Sequence, residues 1–329
     1  MRPFKFNSAS NVRDAVNAVS KNDSAKFIAG GTNLVDLMKE DVERPTELVD
    51  VSRIDLRQIR SEGDSIIIGA MAKNTETANH PLVKMNLPLL SQAIFAGASP
   101  QIRNMATNGG NLMQRTRCVY FYDTSMPCNK REKGSGCAAK EGLNRMHAIF
   151  GWSDECVAVH PSDMCVALAA LDAVVRVEGP DGKEGKAREI GFADFHRLPA
   201  DDPTRDNTLK HGELITAISI PKNRFARNSY YLKVRDRASY AFALVSVAAA
   251  AELDGKKINA VRIALGGVAH KPWRASKAES FLKGNEAVAE NFEKAAALEL
   301  EGAKPLGHNE YKVELAKRAI VRALQKAVR

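Results

Sequence analysis

The sequence predicts an α+β protein, and three observations carry that expectation. The chain opens with short β-α-β pieces, one strand of which runs into two glycines. It closes with strands followed by helices, the pattern of a β-meander with helices packed on it. Between the two lies a long stretch of little periodicity that holds four of the five cysteines. At 329 residues the chain has room for two or three domains. With 44% hydrophobic and 26% charged residues it can bury a real core, and its 22 Gly and 13 Pro exclude collagen-like and low-complexity readings.

Up to about residue 55 the pattern is β-α-β-α-β. AKFIAGG is an apolar strand ending in a glycine pair. TNLVDLMKE is a helix that Thr32 or Asn33 can cap, and ELVDVS is the next strand. A second segment covers 56–223. SIIIGAMA is a strand, NLPLLSQAIFA a helix, and QIRNMATNGGNLMQ a Gly/Asn-rich turn region. From about 114 to 160 follows a long irregular loop, which needs a reason to exist. SDMCVALAALDAVV is a helix running into a strand, and RVEGPDGKEGKAREI is a hairpin with a DG turn. The third segment is 224–329. SYYLKVRD, LVSVAAAAEL and NAVRIALGGV are strands, the last two joined by DGKK. Residues 274–283, 286–300 and 310–328 are helices.

Charge and hydropathy exclude several functions. The net charge is +9, with basic excesses at 101–145 and in the last helix. Aromatics make up only 6% and do not interleave with a basic stripe, so nucleic acid is not expected as a partner. A solvated surface, or one that meets an acidic partner subunit, accounts for the charge. No run approaches the ~18 apolar residues of a membrane span. The N-terminus MRPFKFNSASNVRDAV carries neither an apolar signal core nor a twin-arginine pair. Taken alone the chain is expected to be cytoplasmic, and if it is exported something else carries it.

Three short motifs are candidates for ligand binding. In FIAGGTNLVDLMK, Gly30 and Gly31 allow close backbone approach and positive φ. The helix start behind them offers free amides to a pyrophosphate. This is neither G-x-G-x-x-G nor a Walker A loop. Read alone, an ordinary tight strand–helix connection explains it at least as well. In IRNMATNGGNLMQRT, Thr107, Asn108 and Asn111 surround Gly109 and Gly110, and an ordinary Asn-Gly turn is again the plain alternative. In HPSDMCV, Ser162 is a capping residue, and Asp163 is either a first-turn acid or an acceptor for ribityl or ribose hydroxyls. No Ser/His/Asp or Cys/His nucleophile set stands out, and no carboxylate pair suits general acid–base work.

The five cysteines all lie between 118 and 165, spaced C-x9-C-x8-C-x18-C and then x8 to Cys165. This spacing is neither the ferredoxin pattern nor a zinc ribbon. Four thiolates on a long loop can still converge, because loop length adds little closure entropy. Structural zinc and free thiols remain open. Cys165 differs: SDMCVALAALDAV puts it one turn inside a helix, facing the core. His160, Arg115, Arg117 and Tyr120 lie near the loop as hydrogen-bonding or packing residues. His147 has no cysteine at close spacing and no assigned role.

The order AGGTNL, then IRNMATNGGN about 70 residues on, then PSDM, then a β-meander with three helices, resembles one family over essentially the whole chain. That family is the FAD-binding medium subunit of the xanthine dehydrogenase/molybdenum hydroxylase enzymes. RTRC, YFYDT, PCNKR, GSGCAA and KVRDRASYAFALVSVA resemble the subgroup from bacterial periplasmic aldehyde oxidoreductases. Similar insertions occur in the related subunit of 4-hydroxybenzoyl-CoA reductase. The resemblance implies a two-lobed FAD-binding domain of the vanillyl-alcohol-oxidase/PCMH type, residues 1–55 and 56–223, with an iron–sulfur insertion at about 114–160. Residues 224–329 would form a C-terminal domain of the CO dehydrogenase flavoprotein type.

The resemblance further implies that FAD lies on Ile28, Ala29, Gly30, Gly31, Thr32, Asn33 and Leu34. Thr107, Gly110, Asn111, Asp163, Ile215 and Lys233 would complete its site. A [4Fe–4S] cluster would sit on Cys118, Cys128, Cys137 and Cys156. The implied partners are a molybdopterin-containing large subunit, where the aldehyde is oxidised, and a small [2Fe–2S] subunit. The resemblance also implies that, if the chain is exported, a partner with a twin-arginine signal carries it into the periplasm. This chain would then carry electrons through FAD to an external acceptor, in keeping with the missing acid–base set. Three alternatives compete with an aldehyde oxidoreductase subunit. They are a stand-alone FAD oxidase or reductase, a medium subunit of 4-hydroxybenzoyl-CoA reductase or xanthine dehydrogenase type, and a zinc-stabilised interaction protein.

Overall fold

Three β-sheets set the architecture. The computed structural model describes residues 1–180 and 187–329. The first sheet is parallel, in the order β1-β3-β2, from β1 (Lys5–Ser8), β2 (Ala25–Ile28) and β3 (Glu47–Asp50). Helix Val12–Ser20 makes the first crossover, capped by Asn11, whose side chain accepts from the Asp14 amide at 2.9 Å. Parallel strands gather their carboxyl ends on one edge, and that is where the glycine pair after β2 emerges.

The second sheet is antiparallel, in the order β4-β5-β8-β6-β7. It comprises β4 (Ile59–Glu62), β5 (Ser65–Gly69), β6 (Val174–Glu178), β7 (Arg188–Gly191) and β8 (Leu214–Pro221). The long excursion 70–173 between β5 and β6 carries helix Pro88–Ala96, the second glycine motif, the cysteine loop and helix Asp163–Ala170. β6 and β7 pair as the expected hairpin, but the DG turn lies outside the described residues.

The third sheet is an antiparallel meander, β12-β11-β10-β9, from β9 (Ser229–Val234), β10 (Val245–Asp254), β11 (Lys257–Gly266) and β12 (Trp273–Arg274). Helices Ser276–Leu282, Ala289–Leu300 and Tyr311–Ala327 follow it. β10 is buried on both faces, which is why VSVAAAAEL reads as continuous apolar sequence. Val245, Val247 and Ala249 join the core beneath the C-terminal helices, while Ala248 and Ala250 join the core of the N-terminal part. Small residues are needed on that second face because helix Asp163–Ala170 comes close. A Cβ on Gly266 would stand 2.6 Å from Val166 Cγ2.

Three local expectations change. QIRNMATNGGNLMQ is not an open turn but two short helices, Pro100–Met105 and Asn108–Leu112. Ser99 caps the first and Thr107 the second, accepting from Ile102 N at 3.3 Å and Gly110 N at 3.2 Å. The cysteine stretch contains single helical turns at Val119–Tyr122 and Ala138–Glu141. Asn33 sits at the cap position of helix Leu34–Lys39 but does not cap it. Its Oδ1 accepts instead from the Arg115 amide at 3.0 Å, a partner invisible to local sequence. No helix among the described residues is long and apolar enough to cross a membrane.

Candidate functional site

A cleft of about 530 Å³ opens at the carboxyl edge of the first sheet. The whole stretch from Ile28 to Leu34 lines it, together with Thr107, Gly109, Gly110 and Ile215 at the start of β8. Gly31 has φ +69°, the left-handed region that glycine enters without strain. Gly30 is required for a different reason. A Cβ there would stand 2.1 Å from the Met105 carbonyl oxygen, so the first glycine turn rests directly on the end of helix Pro100–Met105. Gly109 packs tightly, though less so, just past the end of β5, where a Cβ would meet that of Ala70 at 3.2 Å. The two glycine motifs therefore abut and share one cleft. One polar atom in it is unspent: Asn33 Nδ2 is buried with no partner.

Charged residues, of which the sequence reading singled out only Arg115, also line the cleft: Lys26, Glu43, Arg115 and Asp206. Arg115 donates to Glu43 at 2.7 Å and to Asp206 at 2.8 Å. Lys26 reaches Glu43 at 2.7 Å, and buried Lys130 reaches Asp206 at 2.6 Å. Burial alone would raise the carboxyl of Glu43, but Lys26 and Arg115 outweigh it and hold the group below its ordinary value. Burial likewise opposes the charge on Asp206, yet Lys130 and Arg115 hold it far below the usual carboxylate range. Arg115 was expected as a hydrogen-bonding or packing residue near the loop, and that is its place; Lys130 gave only the basic excess at 101–145. Asp206, in the polar run DDPTRD, gave none. Asp206→Ala strands two cations, one of them fully inside, and should destabilise the chain by about 3–5 kcal/mol. Urea unfolding followed by tryptophan fluorescence measures this. A loss of about 1 kcal/mol or less would place the network in solvent instead.

Asn111, Asp163 and Lys233 do not line this cleft. Asn111 donates to Asn74 at 2.8 Å and accepts from Gln114 at 2.9 Å and Ser162 at 2.5 Å. Ser162 caps helix Asp163–Ala170. Asp163 in turn accepts from Lys233 Nζ and from the Tyr231 hydroxyl, both at 2.7 Å. Lys233 also donates to the Ala96 carbonyl at 3.1 Å. These residues form a buried hydrogen-bonded line running from the rim at Gly110 to β9. A Cβ on Gly97 would lie 3.2 Å from Asp163 Oδ2, so the loop after helix Pro88–Ala96 presses on the same carboxylate.

Cys118, Cys128, Cys137 and Cys156 all line a second, small and nearly closed cavity. Cys128 and Cys137 face each other across an isolated antiparallel bridge. Gly134 and Gly136, at φ +86° and +99°, turn the chain between them. Asn129 holds the turn: its amide donates to Gly136 O at 2.7 Å, and its side chain accepts from Gly136 N at 2.8 Å. The same side chain donates to Glu155, the neighbour of Cys156, at 2.8 Å. Arg131 gathers the Tyr120, Phe121 and Met126 carbonyls. Burial pushes the Cys118 thiol up to about 12 and the Cys156 thiol up to about 11, so only a bound cation would keep them as thiolates near neutrality. Cys165 is elsewhere, fully buried in helix Asp163–Ala170. His160 stacks edge-on against His196, ring centroids 4.3 Å apart, and one nitrogen of each lies within 4.8 Å of the Cys165 sulfur. His147, given no role by the sequence, has Nε2 3.1 Å from Cys118 Sγ.

Residues 2–223 match the family described as FAD binding domain in molybdopterin dehydrogenase. Residues 230–327 match the CO dehydrogenase flavoprotein C-terminal domain. The chain is 47% identical over 329 residues to the aldehyde oxidoreductase FAD-binding subunit PaoB of Escherichia coli, covering 99% of each. It is 26% identical over 284 residues to the glyceraldehyde dehydrogenase medium chain of Sulfolobus acidocaldarius, covering 86% of this chain and 82% of that one. Among solved structures, a carbon monoxide dehydrogenase from Hydrogenophaga pseudoflava superposes with a TM-score of 0.77 at 26% identity, covering 99% of this chain and 98% of that one.

Proposed function

Because the chain belongs to the family of FAD-binding domains in molybdopterin dehydrogenases, we propose that it is the FAD-binding, electron-transferring subunit of a molybdenum-containing aldehyde oxidoreductase. The observation that carries this is the cleft where the two glycine motifs abut, taken with 47% identity to an aldehyde oxidoreductase FAD-binding subunit over the whole chain. The residues present suit the cofactor. Two turns free of side chains let backbone approach a pyrophosphate. Thr32 and the unspent amide of Asn33 offer donors beside them. FAD supplies the redox chemistry, accepting electrons and releasing them to an acceptor.

What this chain contributes is binding and placement. Gly30 and Gly31 keep the cleft open to backbone approach. The bond from the Arg115 amide to Asn33 ties the first turn to the second segment, and the Glu43–Arg115–Asp206–Lys130 chain fixes Arg115. Thr107, Gly110 and Ile215 form the opposite wall. The pair Asp163–Lys233, linked to the rim through Ser162 and Asn111, holds a buried charge pair ready for the far end of the same ligand. Aldehyde oxidation belongs to a molybdopterin-containing partner. A small [2Fe–2S] subunit would pass electrons to this chain, making a heterotrimer.

The second part of the reading is a [4Fe–4S] cluster on Cys118, Cys128, Cys137 and Cys156. Their sharing of one nearly closed cavity, on a loop stitched by Asn129 and Arg131, supports it. Four thiolates suit iron–sulfur or zinc, and metal analysis separates the two. Cys165 stands outside this set. Cys165→Ser should leave the iron content unchanged and cost roughly 1–2 kcal/mol for a buried hydroxyl. Loss of iron in that variant would reassign the ligands. The test of the reading as a whole is cofactor analysis of the complex purified through a tag on this chain. One FAD per chain, with iron and sulfide beyond that of the [2Fe–2S] subunit, is expected. A colourless, zinc-holding chain would contradict it.

A further inference from the structure

We infer that His147 donates an Nε2–H hydrogen bond to the sulfur of Cys118 and so raises the reduction potential of the cluster held there; this rests on the cluster reading above. Nε2 lies 3.1 Å from Cys118 Sγ, and the imidazole is buried, 4% exposed. Its other nitrogen, Nδ1, has no partner. Within ordinary hydrogen-bond geometry the ring's one partner is that sulfur, with the Asn144 main chain close by. Among the described residues, no other side chain hydrogen-bonds to the sulfur of any of the four cysteines of the cavity; Thr116 and Ser135 accept only from the Cys118 and Cys128 amides.

The ring is held in place from its own main chain. The His147 carbonyl accepts from Lys312 Nζ at 2.9 Å and from Asn309 Nδ2 at 3.1 Å. Its amide donates to Asn144 O at 3.0 Å, and the next amide, of Ala148, donates to Val157 O at 2.9 Å, beside Cys156. The start of helix Tyr311–Ala327 therefore clamps the backbone that aims the imidazole. The Tyr120 ring borders the imidazole, centroids 6.3 Å apart.

A metal-bound thiolate has only lone pairs to offer, so the proton must sit on Nε2, leaving Nδ1 as a bare acceptor. A hydrogen bond donated to a ligating sulfur draws off electron density. It stabilises the reduced cluster, which carries one more negative charge, over the oxidised one. No bond is made or broken; the residue changes only how easily an electron arrives. His147 is a positioning residue in this sense, and the cluster's place as electron store or relay depends on that potential.

The test compares His147→Leu, which fills the space without a donor, and His147→Gln, whose side-chain amide reaches the Nε2 position. Each is made in the complex with its partner subunits. The readout is an EPR-monitored redox titration of the signal that Cys128→Ser abolishes. In His147→Leu, with iron and FAD at parental levels, the reduced-to-oxidised ratio at fixed potential should fall roughly tenfold, about 59 mV for a one-electron couple. His147→Gln should return it most of the way. An unchanged midpoint in His147→Leu with the cluster present overturns the inference. If the Leu variant cannot hold the cluster, the Gln variant decides. A parental midpoint there supports the donor role, and loss of the cluster in both reduces His147 to a packing residue. Absence of any such signal in the parent complex would sink the cluster reading itself, which is a different failure.

Discussion

A complex carrying Gly30→Val contains almost no FAD. The side chain would collide with the Met105 carbonyl, which lies 2.1 Å from where its Cβ must go. That oxygen belongs to backbone at the end of a helix and also accepts from Lys73 Nζ at 2.9 Å, so it cannot swing away as a flexible side chain would. The only relief is to part the two glycine turns, and that opens the cleft they form together. We expect affinity for FAD to fall about a thousandfold or more, equivalent to about 4 kcal/mol. Gly31→Ala is the graded companion. Its strain comes from φ +69° rather than from collision, and costs about 1–2 kcal/mol. It should weaken FAD without emptying the site. Flavin released on denaturation and counted per chain measures both, and stoichiometric FAD in Gly30→Val would remove this turn from the site.

If the proposed cluster is held by these thiolates, serine at 118, 128, 137 or 156 should remove it. Each sulfur borders the same small cavity, and no spare thiol is positioned to replace one, since Cys165 lies in a separate helix. Iron beyond that of the [2Fe–2S] subunit should drop to near zero. The loop reaches the FAD cleft through Lys130 and Asp206, so some loss of FAD should accompany the loss of iron. Iron analysis of the four single variants checks this, and full iron in any one of them would show that residue not to be a ligand.

Much of this was legible before any coordinates, for physical reasons that differ from residue to residue. The stretch 28–34 was legible as a glycine turn open to backbone approach, though a plain strand–helix connection explained it as well; only the resemblance set it against a ligand, and the structure places it along a cleft. Cys165 is legible as a core residue because Leu168 and Ala169, three and four positions on, place it on a buried helical face. The meander and its helices follow from simple periodicity. What stayed hidden was held by partners distant in sequence. Asn33 reads as a cap and is instead an acceptor for the amide of Arg115. Glu43, Arg115, Lys130 and Asp206 come from four separate stretches and meet only in space. His147 lies ten residues past Cys137, a spacing that suggests nothing, and reaches Cys118 because the C-terminal helix pins its backbone. The central place of β8 between β5 and β6 was equally unreadable, since those partners lie far from it along the chain.

The most direct test of the account is anaerobic addition of an aldehyde to the purified complex while flavin absorbance is followed, with Gly30→Val alongside. The account predicts that the flavin bleaches and that an added acceptor then restores it. In Gly30→Val, the aldehyde should still reduce the [2Fe–2S] centres of the partner while transfer to the acceptor stops. A parent flavin that stays oxidised while the acceptor is reduced at full rate would show that the electrons bypass this chain.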